Sequence, residues 1–197
     1  NVEMDLEIFA HGALCVSYSG QCLFSSLIGN RSGNRGSCVG SCRLPYKIVD
    51  EENNQVNKGN YPLSMKDLNT LEYVGELINA GVSSLKIEGR MKSPEYVYTV
   101  TKLYRMAIDS YYETGKVNID EKELNNLKRI FNREFTKGYL FNENIKNIIN
   151  DKRPNHQGVK IGKVIDYKQP NVYVQLLDDI HINDGLRIVL EDEDYGL

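Results

Sequence analysis

The segment from Gly12 to Pro45 places the strongest constraint on how this chain folds. It contains all four cysteines of the 197-residue chain and is rich in glycine and serine. After Ile28 its apolar residues follow neither helical nor strand spacing. Because such a segment cannot bury a core of its own, something other than hydrophobic packing must order it. We refer to Gly12 to Pro45 as the cysteine segment.

The cysteine spacing indicates a metal site. The cysteines are Cys15, Cys22, Cys38 and Cys42, in the pattern C-x6-C-x15-C-x3-C. Clustered cysteines in an intracellular chain favour metal binding over disulfides, and four thiolates can bind structural zinc or an iron-sulfur cluster. Zinc sites usually contain C-x2-C or C-x4-C pairs, so the longer x6 gap modestly favours a cluster. Zinc and a set of four unrelated thiols remain alternatives.

Charge is distributed unevenly along the chain. The formal net charge is -3, yet from His11 to Val49 there are four basic residues and no acidic one, whereas seven acidic residues and one arginine give residues 176–197 a charge of -6. An anionic ligand should therefore bind at the cysteine end. Arg31, Arg35 and Arg43 are candidates to bind phosphate or a dicarboxylate, since guanidinium groups match both. The alternative is that these arginines only neutralise thiolates.

The composition is that of a folded chain, with 41% hydrophobic and 26% charged residues. No apolar run approaches the ~18 residues that a membrane span needs. The first nine residues contain three carboxylates where a signal peptide would be basic and then apolar. We therefore expect a soluble, cytoplasmic protein. The chain begins inside an alternating pattern and ends just after a predicted strand, so we expect it to be part of a longer protein.

Periodicity predicts an α/β order in the first part of the chain. A helix is expected to begin near Ser64, with apolar residues at helical spacing up to a stop at Gly81. Ser93 followed by Pro94 is typical of the start of a long helix, which should run from Tyr96 to Glu113. The other predicted elements are a strand at Asp5–Ala10, a strand at Val82–Glu88 and a helix at Glu121–Phe131.

The last part of the chain has a different pattern. Residues 151–154 are typical of a linker, and short β-type runs follow between turn signals, at Gly158–Tyr167, Val172–Leu177 and Gly185–Leu190. We therefore predict one domain over residues 1–153 and the start of a small all-β module over residues 154–197.

Three residues outside the cysteine set are candidates for chemistry. His11 follows the first predicted strand, where barrel active sites collect, so it is a candidate acid/base or substrate ligand; a structural histidine is an equal alternative. Glu88 and Arg90 lie two residues apart near the end of the next predicted strand and are the other candidate catalytic residues. A structural ion pair between them is the alternative.

Peptidase chemistry has no recognisable motif in this chain. There is no H-E-x-x-H and no G-x-S-x-G sequence, and the chain has only three histidines. A Cys-His nucleophile pair needs a free thiolate, whereas the four cysteines are predicted to act together as ligands.

The sequence resembles the collagenase-like peptidase family of unassigned catalytic type, peptidase family U32. The matching blocks keep the family's order from Glu7 to about Leu140 and include all four cysteine positions. They are EIFAHGALC at Glu7–Cys15, SGQC at Ser19–Cys22, NRGSCVGSCRLPY at Asn34–Tyr46, SLKIEGRMKSPEY at Ser84–Tyr96 and FNREFTKGYL at Phe131–Leu140.

The resemblance implies a fold and a cofactor. Family members are longer and have a (β/α) barrel-like domain whose first half precedes the equivalent of Asn1. The implied fold class is α/β: the C-terminal half of a (β/α) barrel-like domain with a cysteine-rich insertion, followed by helices and the start of a small β-barrel-like module. Several members carry a 4Fe-4S cluster on four cysteines, which here would be Cys15, Cys22, Cys38 and Cys42.

The resemblance leaves two enzyme classes open. Family members were named for protease and collagenase activity, but several are prephenate-dependent hydroxylases of tRNA or ribosomal RNA or act in oxygen-independent ubiquinone hydroxylation. We favour RNA hydroxylation with prephenate as co-substrate, because the cysteines form one ligand set within a basic segment. The alternatives are a collagenase-like peptidase acting on a peptide substrate and a zinc-stabilised, non-catalytic module.

Overall fold

The structure, a computed structural model, describes residues 4–190 and 194–196. The chain divides into two compact units, Asn1–Gly158 and Val159–Leu197. The boundary lies five residues after the predicted one, because Asn132 holds residues 156–158 to the first unit. The Asn132 amide donates to His156 Nδ1 at 2.8 Å, and its carbonyl accepts from the Gln157 amide at 2.6 Å.

The first unit is built on a four-stranded mixed sheet. Its strands are β1 (Glu7–Ala13), β2 (Asp67–Asn69), β3 (Ser84–Ile87) and β4 (Phe135–Thr136), in the order β3-β1-β2-β4. The parallel pairs are β1 with β3 and β2 with β4, whereas β2 runs antiparallel to β1. A parallel pair with helical connections agrees with the predicted α/β class. The antiparallel β2 is not part of a regular (β/α) repeat, so the barrel stays a prediction.

Five α-helices accompany the sheet among the described residues. They are α1 (Phe24–Gly29), α2 (Val74–Asn79), α3 (Pro94–Thr114), α4 (Glu121–Ile130) and α5 (Ile145–Ile148). The helices α3 and α4 confirm the predictions for those segments. Short 3-10 turns occur at Gly33–Arg35, Ser41–Arg43 and Leu71–Tyr73.

The helix predicted from Ser64 is wrong over its first half. The segment forms β2 and a 3-10 turn, and α2 begins only at Val74. The backbone amides that a helix would use internally donate elsewhere: Lys66 to Ile148 O at 2.8 Å, Asp67 to Glu134 O at 3.0 Å and Thr70 to Ala10 O at 3.1 Å. These long-range hydrogen bonds outweigh the local apolar periodicity.

The helix α3 forms the main layer over the sheet. It begins as predicted, because Ser93 Oγ accepts a hydrogen bond from the Tyr96 amide at 3.3 Å and Pro94 occupies the first turn. It ends at Gly115, which has a φ of 73°. Its inner face packs into one core cluster with the sheet, α2 and α4. The buried members are Ala10, Leu71, Val74, Tyr96, Val100, Leu103, Tyr104, Ala107 and Leu127.

The cysteine segment is ordered by short helical turns. The helix α1 was not predicted, because Leu27 and Ile28 point outward and are 80% and 66% exposed, so no buried face marks it. The 3-10 turns at Gly33–Arg35 and Ser41–Arg43 follow, each ended by a local backbone hydrogen bond. The segment therefore obtains its order from local turns and polar contacts rather than from a core.

The described residues of the second unit form four strands. These are β5 (Gly162–Lys168), β6 (Asn171–Leu176), β7 (Arg187–Val189) and β8 (Asp194–Gly196), which form two antiparallel pairs, β5 with β6 and β7 with β8. The three predicted β runs overlap β5, β6 and β7. No helix in the described parts of the chain is long and apolar enough to cross a membrane.

Candidate functional site

The ends of β1 and β3 bring the predicted site residues to one edge of the sheet. In the parallel register His11 pairs with Ile87, and the Glu88 amide donates to the His11 carbonyl at 2.8 Å. Gly12 fits here because a Cβ on it would lie 2.6 Å from Glu88 O. Glu88 and His11 thus occupy the same edge, from which the cysteine segment departs.

Arg90 connects this edge to the cysteine segment. Its Nη2 donates to the Gly36 carbonyl at 2.6 Å. A Cβ on Gly36 would lie 2.5 Å from Arg90 Nη1, so the guanidinium packs directly against the backbone of the segment. The ion pair considered between Arg90 and Glu88 does not occur among the described salt bridges. Arg90 therefore fixes the loop, and its predicted catalytic role stays a prediction.

His11 lies in an aromatic pocket beneath the edge. Its side chain is buried, and its ring centroid is 6.0 Å from Tyr96, 5.7 Å from Tyr104 and 5.7 Å from Phe135. Burial lowers the pKa of His11 to about 4, with a smaller decrease from Lys92 and an opposing hydrogen bond from Asn69. His11 is therefore neutral at pH 7 and shielded from solvent, as expected of the structural alternative.

A bulge in β1 fixes His11 in this pocket. The register with β3 shifts between Phe9 and His11, which leaves Ala10 as the extra residue. The Ala10 carbonyl accepts from Tyr104 Oη at 2.7 Å, from the Thr70 amide at 3.1 Å and from Thr70 Oγ1 at 3.1 Å. Tyr104 Oη also lies 3.5 Å from His11 Nδ1.

Three of the four cysteines share one electrostatic environment. Burial raises the pKa of the Cys42 thiol, and repulsion from Cys15 and Cys38 raises it further, whereas Arg43 lowers it. All four cysteines are free thiols. Cys42 therefore interacts electrostatically with Cys15 and Cys38. That Cys22 lies close to these three cysteines stays a prediction.

The donor chemistry around Cys38 fits a thiolate ligand. Its sulfur accepts from the Gly40 amide at 3.3 Å and from Ser25 Oγ at 3.6 Å. Hydrogen bonds to the ligand sulfurs help to set the reduction potential of an iron-sulfur cluster. Among the described residues no group of three or more His, Cys, Asp or Glu side chains is arranged to hold a metal ion. The thiol chemistry therefore fits a cluster, while the complete four-sulfur geometry is not formed.

Arg43 anchors the cysteine segment to the sheet. Its Nη1 donates to Ser64 Oγ at 2.7 Å and to the Met65 carbonyl, and its Nη2 donates to the Leu14 carbonyl at 3.4 Å. These contacts occupy both terminal nitrogens, so Arg43 is placed to position the segment. The other two predicted ligand-binding arginines, Arg31 and Arg35, are exposed on the segment's surface.

The structure brings together further charged residues that were not predicted. Asp67 begins β2, Lys92 follows β3 and Arg133 precedes β4, so all three lie at the same edge of the sheet. Arg133 donates to Asp67 Oδ1 through Nε at 3.1 Å and Nη2 at 2.7 Å. One sequence feature points to Lys92 and Arg133 as functional residues: both lie within the blocks that carry the family resemblance. Nothing in their periodicity showed that the two residues meet.

Comparison with known proteins identifies relatives of two kinds. The chain is 35% identical to the 23S rRNA 5-hydroxycytidine C2501 synthase of Escherichia coli over 97% of this chain and 30% of that protein. It is 40% identical to tRNA hydroxylation protein P of Helicobacter pylori over 70% of this chain and 35% of that protein. It is also 39% identical to a collagenase of Porphyromonas gingivalis over 71% of this chain and 39% of that protein.

These relatives are all considerably longer. The chain spans 30% to 49% of the length of the first four curated relatives that it matches. No solved structure matches the chain. The sequence model of peptidase family U32 matches residues 1–150, which include the sheet, the cysteine segment and the charged edge. The chain therefore belongs to peptidase family U32.

Proposed function

We propose that this chain is the cysteine-bearing part of an iron-sulfur enzyme that hydroxylates tRNA or ribosomal RNA with prephenate as co-substrate. The observation that carries the proposal is that all four cysteines lie in one segment without acidic residues, which leaves the sheet beside Glu88 and is held there by Arg90. Relatives named for rRNA 5-hydroxycytidine synthesis and for tRNA hydroxylation support the reaction class.

Cys15, Cys22, Cys38 and Cys42 would hold a 4Fe-4S cluster. When bound, such a cluster supplies one-electron chemistry. Arg43 favours the thiolate of Cys42, against the burial that raises the pKa of this thiol. Cys38 Sγ accepts hydrogen bonds from the Gly40 amide and from Ser25 Oγ, as ligand sulfurs of such clusters do.

The surface of the cysteine segment fits an RNA partner. Arg31 and Arg35 are exposed, and neither this segment nor the residues up to Val49 contain an acidic side chain to oppose RNA phosphates. Arginines bind phosphate through paired donors. We propose that these two arginines position RNA beside the cysteines, while the rest of a (β/α) barrel in the full-length protein completes the substrate site.

Nucleoside analysis tests the proposal. We would digest tRNA and ribosomal RNA from cells lacking the full-length gene and search by mass spectrometry for a lost hydroxylated nucleoside. The wild-type gene should restore it, and a Cys38→Ser variant should not, because loss of one ligand weakens the whole cluster. Ser37→Ala, an exposed neighbour in the same segment, is the matched control and should restore it fully. Unchanged nucleosides in the deletion strain would refute the proposal.

A peptidase is the second candidate, favoured by the similarity to a protein named collagenase. Its test is peptide cleavage by the purified full-length protein and its four single Cys→Ser variants. If the protein hydroxylates RNA, the Cys→Ser variants, which lack the cluster, should not cleave peptides. Strong cleavage in all four variants, together with unchanged nucleosides, would establish the peptidase instead.

A further inference from the structure

The helix α1 is inverted relative to an ordinary surface helix. Its residue Ser25 is 2% exposed, whereas Leu27 and Ile28 are 80% and 66% exposed. A surface helix normally buries its apolar side chains and exposes its polar ones. The hydrophobic effect therefore does not explain why α1 turns Ser25 inward, and the polar contacts of this serine have to account for it.

The Ser25 hydroxyl lies between a backbone amide and a cysteine sulfur. Its Oγ accepts a hydrogen bond from the Val39 amide at 3.1 Å and donates one to Cys38 Sγ at 3.6 Å. A hydroxyl has one proton and two lone pairs, so it can make both hydrogen bonds at once. The bond from Val39 uses a lone pair and leaves the proton for the sulfur. Val39 therefore orients Ser25 as a donor to Cys38.

The backbone around Cys38 supports this arrangement. The Gly40 amide donates a second hydrogen bond to Cys38 Sγ at 3.3 Å. The 3-10 turn at Gly33–Arg35 packs against the same two side chains, because a Cβ on Gly33 would lie 3.7 Å from Cys38 Cβ and 3.9 Å from Ser25 Oγ. The sulfur of Cys38 is thus held by one side-chain donor and one backbone donor, each fixed by the local fold.

A donor at a ligand sulfur favours the reduced state of an iron-sulfur cluster. Reduction adds a negative charge that the sulfurs share, and a hydrogen-bond donor stabilises this charge more strongly in the reduced state than in the oxidised state. Ser25 is buried, so its hydroxyl dipole acts with little screening by water. Removal of the hydroxyl should therefore lower the reduction potential.

We propose that Ser25 is a positioning residue, which orients Cys38 and raises the reduction potential of the cluster by donating to its sulfur. This role rests on the proposed function for the presence of the cluster. Ser25 lies between two of the sequence blocks that carry the family resemblance, Ser19–Cys22 and Asn34–Tyr46. The fold of α1, and not a motif, therefore assigns this role to Ser25.

The reduction potential of the anaerobically purified, full-length protein tests this role. Ser25→Ala removes the donor and should shift the reduction equilibrium about tenfold towards the oxidised cluster, which is about 59 mV for one electron. Ser25→Thr keeps the hydroxyl and should keep the wild-type potential. The matched control is Ser26→Ala, because Ser26 is the next residue of α1 but is exposed and donates to the Arg31 carbonyl at 3.3 Å. Its potential should be unchanged.

Pulsed electron paramagnetic resonance of the reduced protein in deuterium oxide detects the donor itself. In the wild type, the Ser25 hydroxyl and the Gly40 amide should each give a deuteron coupled to the cluster, and Ser25→Ala should lose the first alone. A merely structural role of Ser25 would lower the iron content without changing the potential of the remaining clusters. If Ser25→Ala retains no iron, the wild type and Ser25→Thr decide: a hydroxyl deuteron in both supports the proposal, and its absence overturns it.

The role of Ser25 and the proposed function fail separately. An iron-loaded Ser25→Ala protein with the wild-type potential would overturn the role of Ser25 and leave the cluster in place. A wild-type protein without iron would overturn both. Unchanged nucleosides in the deletion strain bear on RNA hydroxylation alone, because the potential is measured without RNA and without turnover.

Discussion

The place of His11 in the chain suits a catalytic residue, whereas its surroundings suit a structural one. It ends a strand at the functional edge, yet three aromatic rings and the Tyr104 hydroxyl enclose it. The neutral imidazole is favoured there because charging it would require a buried cation close to Lys92. Sequence position alone could not separate these roles, since burial depends on residues up to 124 positions away.

The pKa of His11 predicts acid sensitivity of the fold. The folded pKa of about 4 lies below the usual histidine pKa of 6.5, so between these pH values the unfolded chain binds more protons. Stability contributed by neutral His11 is complete above pH 6.5 and should be lost as the pH falls towards 4. The loss amounts to about 3 kcal/mol. Urea unfolding at a series of pH values measures it.

A variant separates this effect from that of the carboxylates. His11→Gln keeps a polar side chain of similar length but has no proton to gain in this range. Its unfolding free energy should fall less steeply between pH 6.5 and pH 4 than that of the wild type. Identical slopes in the two proteins would show that His11 does not carry the acid sensitivity.

At the level of elements, local signals predicted the long helices well. Ser93 and Pro94 mark the start of α3 and Gly115 marks its end, so its bounds are encoded in neighbouring residues. The strand β2 was missed because its backbone bonds reach Ala10, Glu134 and Ile148, far away in sequence. The helix α1 was missed because it buries almost no apolar surface.

The contact between β1 and β3 depends on Gly12. Its φ is +123°, and a Cβ would lie 2.6 Å from Glu88 O and 2.7 Å from Glu88 Cβ. We expect Gly12→Ala to destabilise the fold by about 3 kcal/mol through backbone strain and steric overlap. Chemical denaturation measures this value. Gly81→Ala is the control, because Gly81 has φ +82° but open space around it, and should cost about 1 kcal/mol. Similar costs for the two variants would contradict the steric account.

The cap of α3 gives a second prediction for an element. Ser93→Ala removes the acceptor of the Tyr96 amide and should destabilise the first unit by about 1 kcal/mol. Thr101→Ala, on the exposed face of the same helix, should be neutral or slightly stabilising. Thermal melting of both variants tests the difference, and an unchanged melting temperature in Ser93→Ala would argue against the cap.

For the whole molecule, the boundary between the units has a testable position. His156 stacks on Phe131 with centroids 5.4 Å apart, and Gln157 bonds to Asn132, so these residues complete the first unit. We would truncate the full-length protein after Gly158 or after Leu197. The melting temperature of the first unit should be the same in both truncated proteins. A protein ended after Arg153 should melt several degrees lower, because it loses these contacts. Equal melting of all three would place the boundary at the linker instead.

Only part of the candidate site could be predicted from the sequence. The cysteines are visible as a cluster within one segment, and the position of Glu88 follows from the end of a strand. The ion pair between Asp67 and Arg133 could not be predicted, because the two residues are 66 positions apart in the sequence. Arg43 was predicted as a ligand-binding residue, but its hydrogen bonds depend on the fold of β2.

The metal content of the anaerobically purified full-length protein tests the central claim most directly. The claim is that Cys15, Cys22, Cys38 and Cys42 hold one 4Fe-4S cluster. We predict a brown protein with about four iron and four acid-labile sulfide ions per chain, and loss of both in every single Cys→Ser variant. A colourless protein with one zinc ion per chain would contradict the claim and favour the zinc-stabilised module.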